Sequence, residues 1–236
     1  MTDTKTTKAL DLGLPKTGPA ICWGCFGPKP EPGSGCATCE ARHLAEEVSR
    51  REIRAKGWFS EWAAAVPTRY LWATEPSPAE LPRRCRQHHR VLARSVGTVA
   101  LLGKAGCGKT AGAVALVSKW VRDAGGEWHR KVRKDLADFA PATQIDELAR
   151  QSRLGDDPPE RLRDWGRVPV LVLDDLGTET TFGQQAITSL IQRRHDDDHV
   201  TVFTSGLTSA QIHERYGSGV ARRVLEAGAM QLGGAA

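Results

Sequence analysis

The sequence predicts an α/β protein in which helices flank a parallel sheet and a small four-cysteine module precedes the sheet. Three observations lead to this prediction. An apolar strand at 98–102 runs directly into a glycine-rich turn at Gly103–Thr110. A second apolar run at 170–173 ends in two aspartates, and two C-x-x-C pairs lie close together near the N-terminus.

Length and composition fit one ordinary domain and a small module. The chain has 236 residues, of which 40% are hydrophobic, and this is enough to form a core. A formal charge of +5 and a pI near 9.0 permit an anionic partner such as nucleic acid without requiring one. No apolar run forms a signal peptide or reaches the ~20 residues of a membrane span, so we expect a cytoplasmic protein without membrane contact.

Four cysteines near the N-terminus predict a zinc site. After a tail at 1–20 that we expect to be flexible, Cys22, Cys25, Cys36 and Cys39 form two C-x-x-C pairs. Four thiolates at this spacing can surround one Zn²⁺, and the Gly- and Pro-rich segment between them has too little apolar surface to fold without metal. Two disulfides are disfavoured in a reducing compartment, and a redox pair is disfavoured because no βαβ pattern surrounds the cysteines.

A charged helix and a linker follow the cysteines. The helix is predicted at 40–65 with an interruption at Gly57, and the zinc module and helix together are assigned to 21–66. Basic residues of this helix either contact nucleic acid through its phosphates or form a solvated face. Prolines and arginines at 67–90 predict a basic linker.

The turn after the first strand fits the motif G-x-x-x-x-G-K-[ST], which binds the phosphates of a nucleotide. Its glycines let backbone N–H groups turn toward phosphate oxygens, and the helix predicted at 111–122 presents a positive N-terminus to the same anion. Lys109 can reach the β- and γ-phosphates, and the Thr110 hydroxyl can bind Mg²⁺. The candidate nucleotide-binding residues of the turn are Gly103, Lys104, Ala105, Gly106, Cys107, Gly108, Lys109 and Thr110.

Two adjacent aspartates end the strand at 170–173. Four consecutive apolar residues indicate a strand buried on both faces of a parallel sheet, and ligands bind at the carboxyl ends of such strands. Asp174 is therefore expected to hold Mg²⁺, directly or through water, and Asp175 to orient and polarise the attacking water. The alternative is a helix cap formed by the two aspartates.

Further strands and helices continue the α/β pattern through the C-terminal half. A strand at 200–203 ends in Thr204-Ser205-Gly206, where a polar side chain either reaches the γ-phosphate or belongs to an ordinary turn. Arg222 and Arg223 lie in the last predicted helix. The other predicted elements are a strand at 138–140 and helices at 145–151, 182–195, 208–216 and 220–226.

These motifs, taken in order along the chain, resemble the DnaC/IstB family of AAA+ ATPases, which load replicative helicases or assist transposases. The resemblance covers about 95–232 and rests on Gly103–Thr110, 170–179, 204–207 and 217–225. Its most specific mark is the run Asp-Asp-Leu-Gly-x-Glu. The cysteine module ahead of this core is similar to that of the DnaI-type loader, whose N-terminal domain contacts the helicase.

The resemblance implies a P-loop AAA+ ATPase domain at 91–236 that binds ATP and Mg²⁺ and hydrolyses ATP slowly, with stimulation by a partner. The implied partners are a replicative DNA helicase, single-stranded DNA and further copies of this chain that assemble on ATP binding. Arg194 either matches an arginine of the family or faces solvent. The implied roles are nucleotide and Mg²⁺ binding for Lys109 and Thr110, the Walker B pair for Asp174 and Asp175, and an arginine finger toward a neighbour's site for Arg223.

The chain departs from the family pattern at three places. Gly206 replaces the usual asparagine, which leaves the sensor role to Thr204 or Ser205 or weakens it. Arg222 competes with Arg223 for the finger role, because the sequence is Ala-Arg-Arg-Val rather than Ser-Arg-Leu. The chain stops soon after 232 without an obvious C-terminal sensor arginine, so nucleotide is expected to act mainly as a switch.

Three alternatives remain at this point. A transposition helper of the same fold would bind DNA and a transposase, and the zinc module argues mildly against it. A small-molecule P-loop kinase is disfavoured by the tandem aspartates and by the lack of an arginine-rich lid after the core. A zinc-dependent DNA-binding protein with an inactive ATPase core would show no ATP hydrolysis.

Overall fold

A computed structural model describes residues 36–75, 97–123, 136–152, 157–225 and 228–232. The chain separates into two compact units, Met1–Arg50 and Arg51–Ala236. The described part of the first unit begins at Cys36 and continues into the first helix, α1 (Ala37–Ala65). The side chains of this described part are mostly exposed. On its surface, an ion pair joins Arg50 Nη2 to Glu46 Oε2 at 3.4 Å.

The second unit is built on a five-stranded parallel sheet. Its strands, numbered along the chain, lie side by side in the order second, third, fourth, first and fifth. Because every pair is parallel, the carboxyl ends of all five strands lie at one edge of the sheet. The strands are β1 (Val99–Gly103), β2 (Ala137–Pro141), β3 (Val170–Leu176), β4 (Val200–Ser205) and β5 (Ala229–Leu232). The helices around them are α2 (Lys109–Asp123), α3 (Ala142–Gln151), α4 (Glu160–Arg167), α5 (Thr181–Asp196) and α6 (Ser209–Leu225).

The central strands are buried on both faces, as their continuous apolar runs predict. Along β3, Val170 and Val172 belong to a core cluster that includes α2, whereas Leu171 and Leu173 belong to a second cluster with residues of α5 and α6. Successive side chains of a strand point to opposite faces, so a run without polar residues fills both layers. The parallel sheet flanked by helices is therefore confirmed.

The second half of α1 packs into the first core cluster. The helix passes through Gly57 without a break, so the predicted interruption is wrong. Beyond it, Trp58 and Trp62 are buried, and the Trp62 indole Nε1 donates a 2.8 Å hydrogen bond to the Ser118 hydroxyl of α2. This buried contact ties α1 to the helix that follows the glycine-rich turn.

A 3₁₀ helix at Thr68–Thr74 follows α1 and also packs against α2. Its C-terminal end is held by Arg122 of α2, whose guanidinium donates to the backbone carbonyls of Thr74 and, at 3.0 Å, Glu75. Residues 68–74 lie in the stretch predicted as a linker, and they form a packed layer over α2.

The fifth strand, Ala229–Leu232, is absent from the sequence prediction. It is an outer strand of the sheet and pairs with β1. It leaves no space for a side chain at Gly103. A Cβ atom built on Gly103 would lie 2.1 Å from the Leu232 carbonyl oxygen.

Within the described part of the chain, no helix has the length and apolar character to cross a bilayer.

Candidate nucleotide-binding site

The glycine-rich turn links the end of β1 to the first residue of α2. Gly106 and Gly108 adopt positive φ angles of 76° and 89°, a conformation that costs a residue with a Cβ atom additional energy. The helix begins directly at Lys109, and its first-turn N–H groups point back into the turn. The turn therefore forms the concave backbone surface that binds phosphate groups.

Lys109 is buried, and its ammonium lies against the turn itself. Its Nζ atom donates hydrogen bonds to the carbonyl oxygens of Gly103 at 2.9 Å and Lys104 at 3.0 Å. No carboxylate pairs with this ammonium within the described residues. A buried cation is stabilised by an opposite charge, so this arrangement suits an anionic ligand in the turn.

The hydroxyls of Thr110 and Thr204 converge on one carboxylate oxygen of Asp174. The Thr110 Oγ1 donates to Asp174 Oδ1 at 2.7 Å, and the Thr204 Oγ1 donates to the same oxygen at 2.6 Å. These residues come from the start of α2, the end of β3 and the end of β4. The hydroxyl and carboxylate oxygens together form a donor set suited to Mg²⁺ beside a triphosphate.

Burial dominates the electrostatics of Asp174, which is 2% exposed. Desolvation raises the pKa of its carboxyl group, the hydrogen bonds from Thr204 and Thr110 lower it, and the negative charge of Asp175 raises it. The net direction is upward. The ionised carboxylate is thus held at an energetic cost that a bound divalent cation would relieve.

Asp174→Asn is expected to stabilise the protein at neutral pH in the absence of nucleotide. Because the pKa of Asp174 is raised in the folded state, its ionisation above the unfolded value of about 4 destabilises the folded chain. Asparagine offers an oxygen to the same hydroxyls without the charge. The free energy of urea unfolding should exceed that of the wild type at pH 7, and the difference should vanish below about pH 4.

Asp175→Asn is the matched control, because Asp175 is exposed at the next position of the same strand. It should leave the unfolding free energy nearly unchanged at pH 7. An Asp174→Asn variant that is less stable than the wild type at pH 7 would contradict the assigned cost of burying this charge.

Asp175 adopts a left-handed backbone conformation with φ of 56°. Its N–H donates a 2.9 Å hydrogen bond to the Thr204 hydroxyl, which fixes the backbone while the residue stays exposed. Non-glycine residues in this conformation cost of order 1–3 kcal/mol and are concentrated at functional sites. The strained position places a second carboxylate beside the buried one.

The geometry distinguishes Thr204 from Ser205 at the end of β4. Ser205 donates to the Leu176 carbonyl at 2.5 Å and accepts from the Leu207 N–H at 3.1 Å, so its hydroxyl is occupied by backbone groups. Thr204 instead contacts both aspartates. Gly206 is exposed. The polar side chain of this strand that lies at the acidic pair is therefore Thr204.

Glu179 organises a buried network beyond the acidic pair, and the sequence analysis gave it no role. Its carboxylate accepts hydrogen bonds from Gly177 N–H at 2.9 Å, from Arg215 Nε at 2.9 Å and from the Tyr216 hydroxyl. Burial and the adjacent carboxylate raise the pKa of Tyr216. The network joins the loop after β3 to the first part of α6, and only its place in the Asp-Asp-Leu-Gly-x-Glu run signals it.

Arg223 lies at the opposite edge of the sheet from the glycine-rich turn. It lines a cavity of about 640 Å³ together with Thr98 and Thr201, which mark the amino ends of β1 and β4. A strand of five residues separates the two edges by about 15 Å. Arg223 therefore points away from the site of its own chain, and the helix that carries it is broken at Gly217, with φ 77° and ψ 167°.

Arg194 is buried, so the solvent-facing alternative is wrong. Burial lowers the pKa of its guanidinium to about 9. Its hydrogen bonds go to the carbonyls of Trp165 at 2.7 Å, Val168 at 2.7 Å and Val200 at 2.5 Å, and to the Thr201 hydroxyl at 2.9 Å. Arg194 thus ties α4, α5 and β4 together.

The four predicted zinc ligands are only partly within the described residues. Cys22 and Cys25 lie outside them. Cys36 is buried and Cys39 is half-buried at the start of α1. Within the described residues, no group of three or more histidine, cysteine or acidic side chains could hold a metal ion. The zinc site therefore remains a prediction.

Comparisons with known proteins show the fold. No family model matches the chain, and no curated protein matches it. A crystal structure of the DnaC helicase loader matches at 22% identity with a TM-score of 0.56, covering 70% of this chain and 99% of that chain. A crystal structure of DnaI matches at 18% identity with a TM-score of 0.51, covering 72% and 93%.

The replication initiator DnaA, bound to AMPPCP and single-stranded DNA, matches at 13% identity with a TM-score of 0.50, covering 70% of this chain and 50% of that chain. The chain has the same fold as the DnaC helicase loader and DnaI.

Proposed function

We propose that this chain is an ATP-hydrolysing DNA replication protein that loads a replicative helicase onto single-stranded DNA. The observation that carries the proposal is the hydrogen bond between Thr110 and Asp174. It joins the glycine-rich turn to the acidic strand end, where a triphosphate and its Mg²⁺ would lie.

The side chains of the site have separate roles in ATP hydrolysis. Lys109, Thr110 and Asp174 would hold the nucleotide and its Mg²⁺, and the ion would supply positive charge to the phosphates. Asp175 orients the attacking water and accepts its proton, while Thr204 fixes both aspartates. Arg223 of a second copy stabilises the charge that develops on the terminal phosphate.

The partners follow from the resemblance and from the fold. Two proteins of the same fold are the DnaC helicase loader and DnaI, and a third, the replication initiator DnaA, is bound to AMPPCP and single-stranded DNA. We infer that ATP binding assembles several copies, because Arg223 lines a surface remote from its own turn. The basic charge of the chain favours contact with nucleic acid.

Affinity capture in the presence of ATP tests the proposed partner. The Asp175→Asn variant should bind ATP without hydrolysing it, and should therefore retain the replicative helicase of the same host better than the wild type does. Recovery of a transposase instead would favour the transposition helper. Transfer of phosphate to a nucleoside would favour a kinase. Absence of ATP hydrolysis with helicase and single-stranded DNA present would refute the proposal.

Purified protein is expected to contain about one zinc ion per chain. Cys22→Ser and Cys36→Ser should lower the zinc content measured by elemental analysis, because each removes a thiolate ligand. Cys85→Ser is the control, since Cys85 has no C-x-x-C partner. Unchanged zinc in both ligand variants would rule out the four-cysteine site.

A further inference from the structure

The 3₁₀ helix Thr68–Thr74 carries Arg69, which the sequence analysis left among the linker residues. We propose that Arg69 is a phosphate-binding residue whose guanidinium contacts the terminal phosphate of the triphosphate bound by its own chain. This inference rests on the proposed ATP site and adds to it a residue that selects triphosphate over diphosphate.

The packing of α1 on α2 carries the chain toward the nucleotide end of α2. The Arg122 guanidinium lies 5.0 Å from the centroid of the Phe59 ring, and Trp62 bonds Ser118 one turn earlier on α2. The two helices are thus antiparallel. As α1 approaches its last residue, it approaches the turn of α2 that begins at Lys109.

The chain then reverses, and the 3₁₀ helix returns along α2 until Thr74 meets Arg122. Five residues of 3₁₀ helix separate Thr74 from Arg69, which corresponds to about 10 Å. The same distance along an α-helix is roughly seven residues. The backbone of Arg69 is therefore level with the first two turns of α2, and its extended side chain can reach the residues at Thr110.

The segment that presents Arg69 is held in place. The Arg69 carbonyl accepts a 3.0 Å hydrogen bond from the Trp72 indole, and the Thr74 hydroxyl bonds the Leu71 carbonyl at 2.7 Å. The Arg69 guanidinium lies over the Tyr70 ring at 4.9 Å, and Tyr70 packs against the first core cluster. Arg69 itself is exposed, so its charge is available to a ligand.

The reach of Arg69 toward Thr110 brings its charge to the acidic side of the site. The Thr110 hydroxyl donates a 2.7 Å hydrogen bond to Asp174 Oδ1, so a side chain that approaches Thr110 also approaches Asp174. Asp174 lies near the end of β3, and β4 separates β3 from the strand that leads into the glycine-rich turn. The terminal phosphate of a bound triphosphate would lie nearer the acidic pair than the inner phosphates, because Asp175 would orient the water that attacks it. A guanidinium near Asp174 is thus placed for the terminal phosphate.

Calorimetric titration of the full chain with Mg-ATP and with Mg-ADP tests the proposal. Arg69→Ala should weaken ATP binding about ten-fold or more, the effect of losing one charge-assisted hydrogen bond. ADP binding should change less than about two-fold, because ADP lacks the terminal phosphate. Arg69→Lys should give an intermediate ATP affinity, since lysine keeps the charge but loses the planar fork.

Arg167→Ala, which removes an exposed arginine at the end of α4, should leave both affinities unchanged. The midpoint temperature of thermal unfolding without nucleotide should be similar for Arg69→Ala and Arg167→Ala. An unchanged ratio of ATP to ADP affinity in Arg69→Ala, including an equal loss of both, overturns the assignment to the terminal phosphate. If the wild type binds neither nucleotide, the ATP site itself is wrong, and this result is distinct from an unchanged ratio.

Discussion

Lys109→Ala is expected to abolish ATP binding at concentrations where the wild type is saturated. The buried ammonium lies against the carbonyls of Gly103 and Lys104, so its removal takes away the cation that the phosphates would meet in the turn. A charge-assisted contact to several phosphate oxygens corresponds to an affinity loss of about 100-fold. Equilibrium binding of a fluorescent ATP analogue measures this loss.

Lys119→Ala is the matched control for Lys109→Ala. Lys119 lies on the same helix, but it pairs with Asp123 on the exposed surface. The Lys119→Ala variant should bind nucleotide with wild-type affinity. Wild-type affinity in Lys109→Ala would instead show that the glycine-rich turn is not a nucleotide site.

Arg223→Ala is expected to lower the rate of ATP hydrolysis about 1000-fold while leaving ATP affinity nearly unchanged. The physical reason is position. Arg223 lies at the amino ends of the strands, whereas the turn and the acidic pair lie at the carboxyl ends. It can stabilise charge on a terminal phosphate only when that phosphate is held by another copy. Steady-state turnover and equilibrium binding, measured on the same preparation, separate the two effects.

Mixing two inactive variants tests action between copies. Arg223→Ala retains a nucleotide site, and Lys109→Ala retains the arginine, so a mixture should regain part of the wild-type turnover. Arg222→Ala decides which of the two adjacent arginines acts, and we expect it to keep most of the activity. Failure of the mixture to regain turnover, with both variants folded, would show that Arg223 does not act on a neighbour.

The central part of this fold is predictable because its signals are local. The apolar run at 170–173 is typical of a strand buried on both faces, and the turn at 103–110 has a spacing set by phosphate geometry. The structure brings the ends of these two segments together through Thr110 and Asp174. The sequence could therefore place the acidic pair at the turn without any knowledge of the remaining contacts.

Other features depend on contacts distant in sequence, and sequence patterns do not show them. The strand at Ala229–Leu232 has only four residues, and three of them are not buried, so neither length nor alternation signals it. Burial of Arg194 depends on three carbonyls from two segments that are distant in sequence, the end of α4 and the start of β4. The 3₁₀ helix at Thr68–Thr74 is followed closely by prolines, and its order comes from packing on α2 rather than from its own propensity.

The break at Gly217 separates two fixed points on one helix. Upstream of it, Arg215 and Tyr216 are anchored by Glu179 beside the acidic strand end, and downstream of it lies Arg223. The segment after the break is also held, because Val220, Ala221 and Val224 are buried in the second core cluster. Gly217 therefore sets a fixed angle between the two parts of the helix. The backbone of this one residue thus decides in which direction Arg223 leaves its own subunit, and with it the surface that a second copy would have to meet in the proposed assembly.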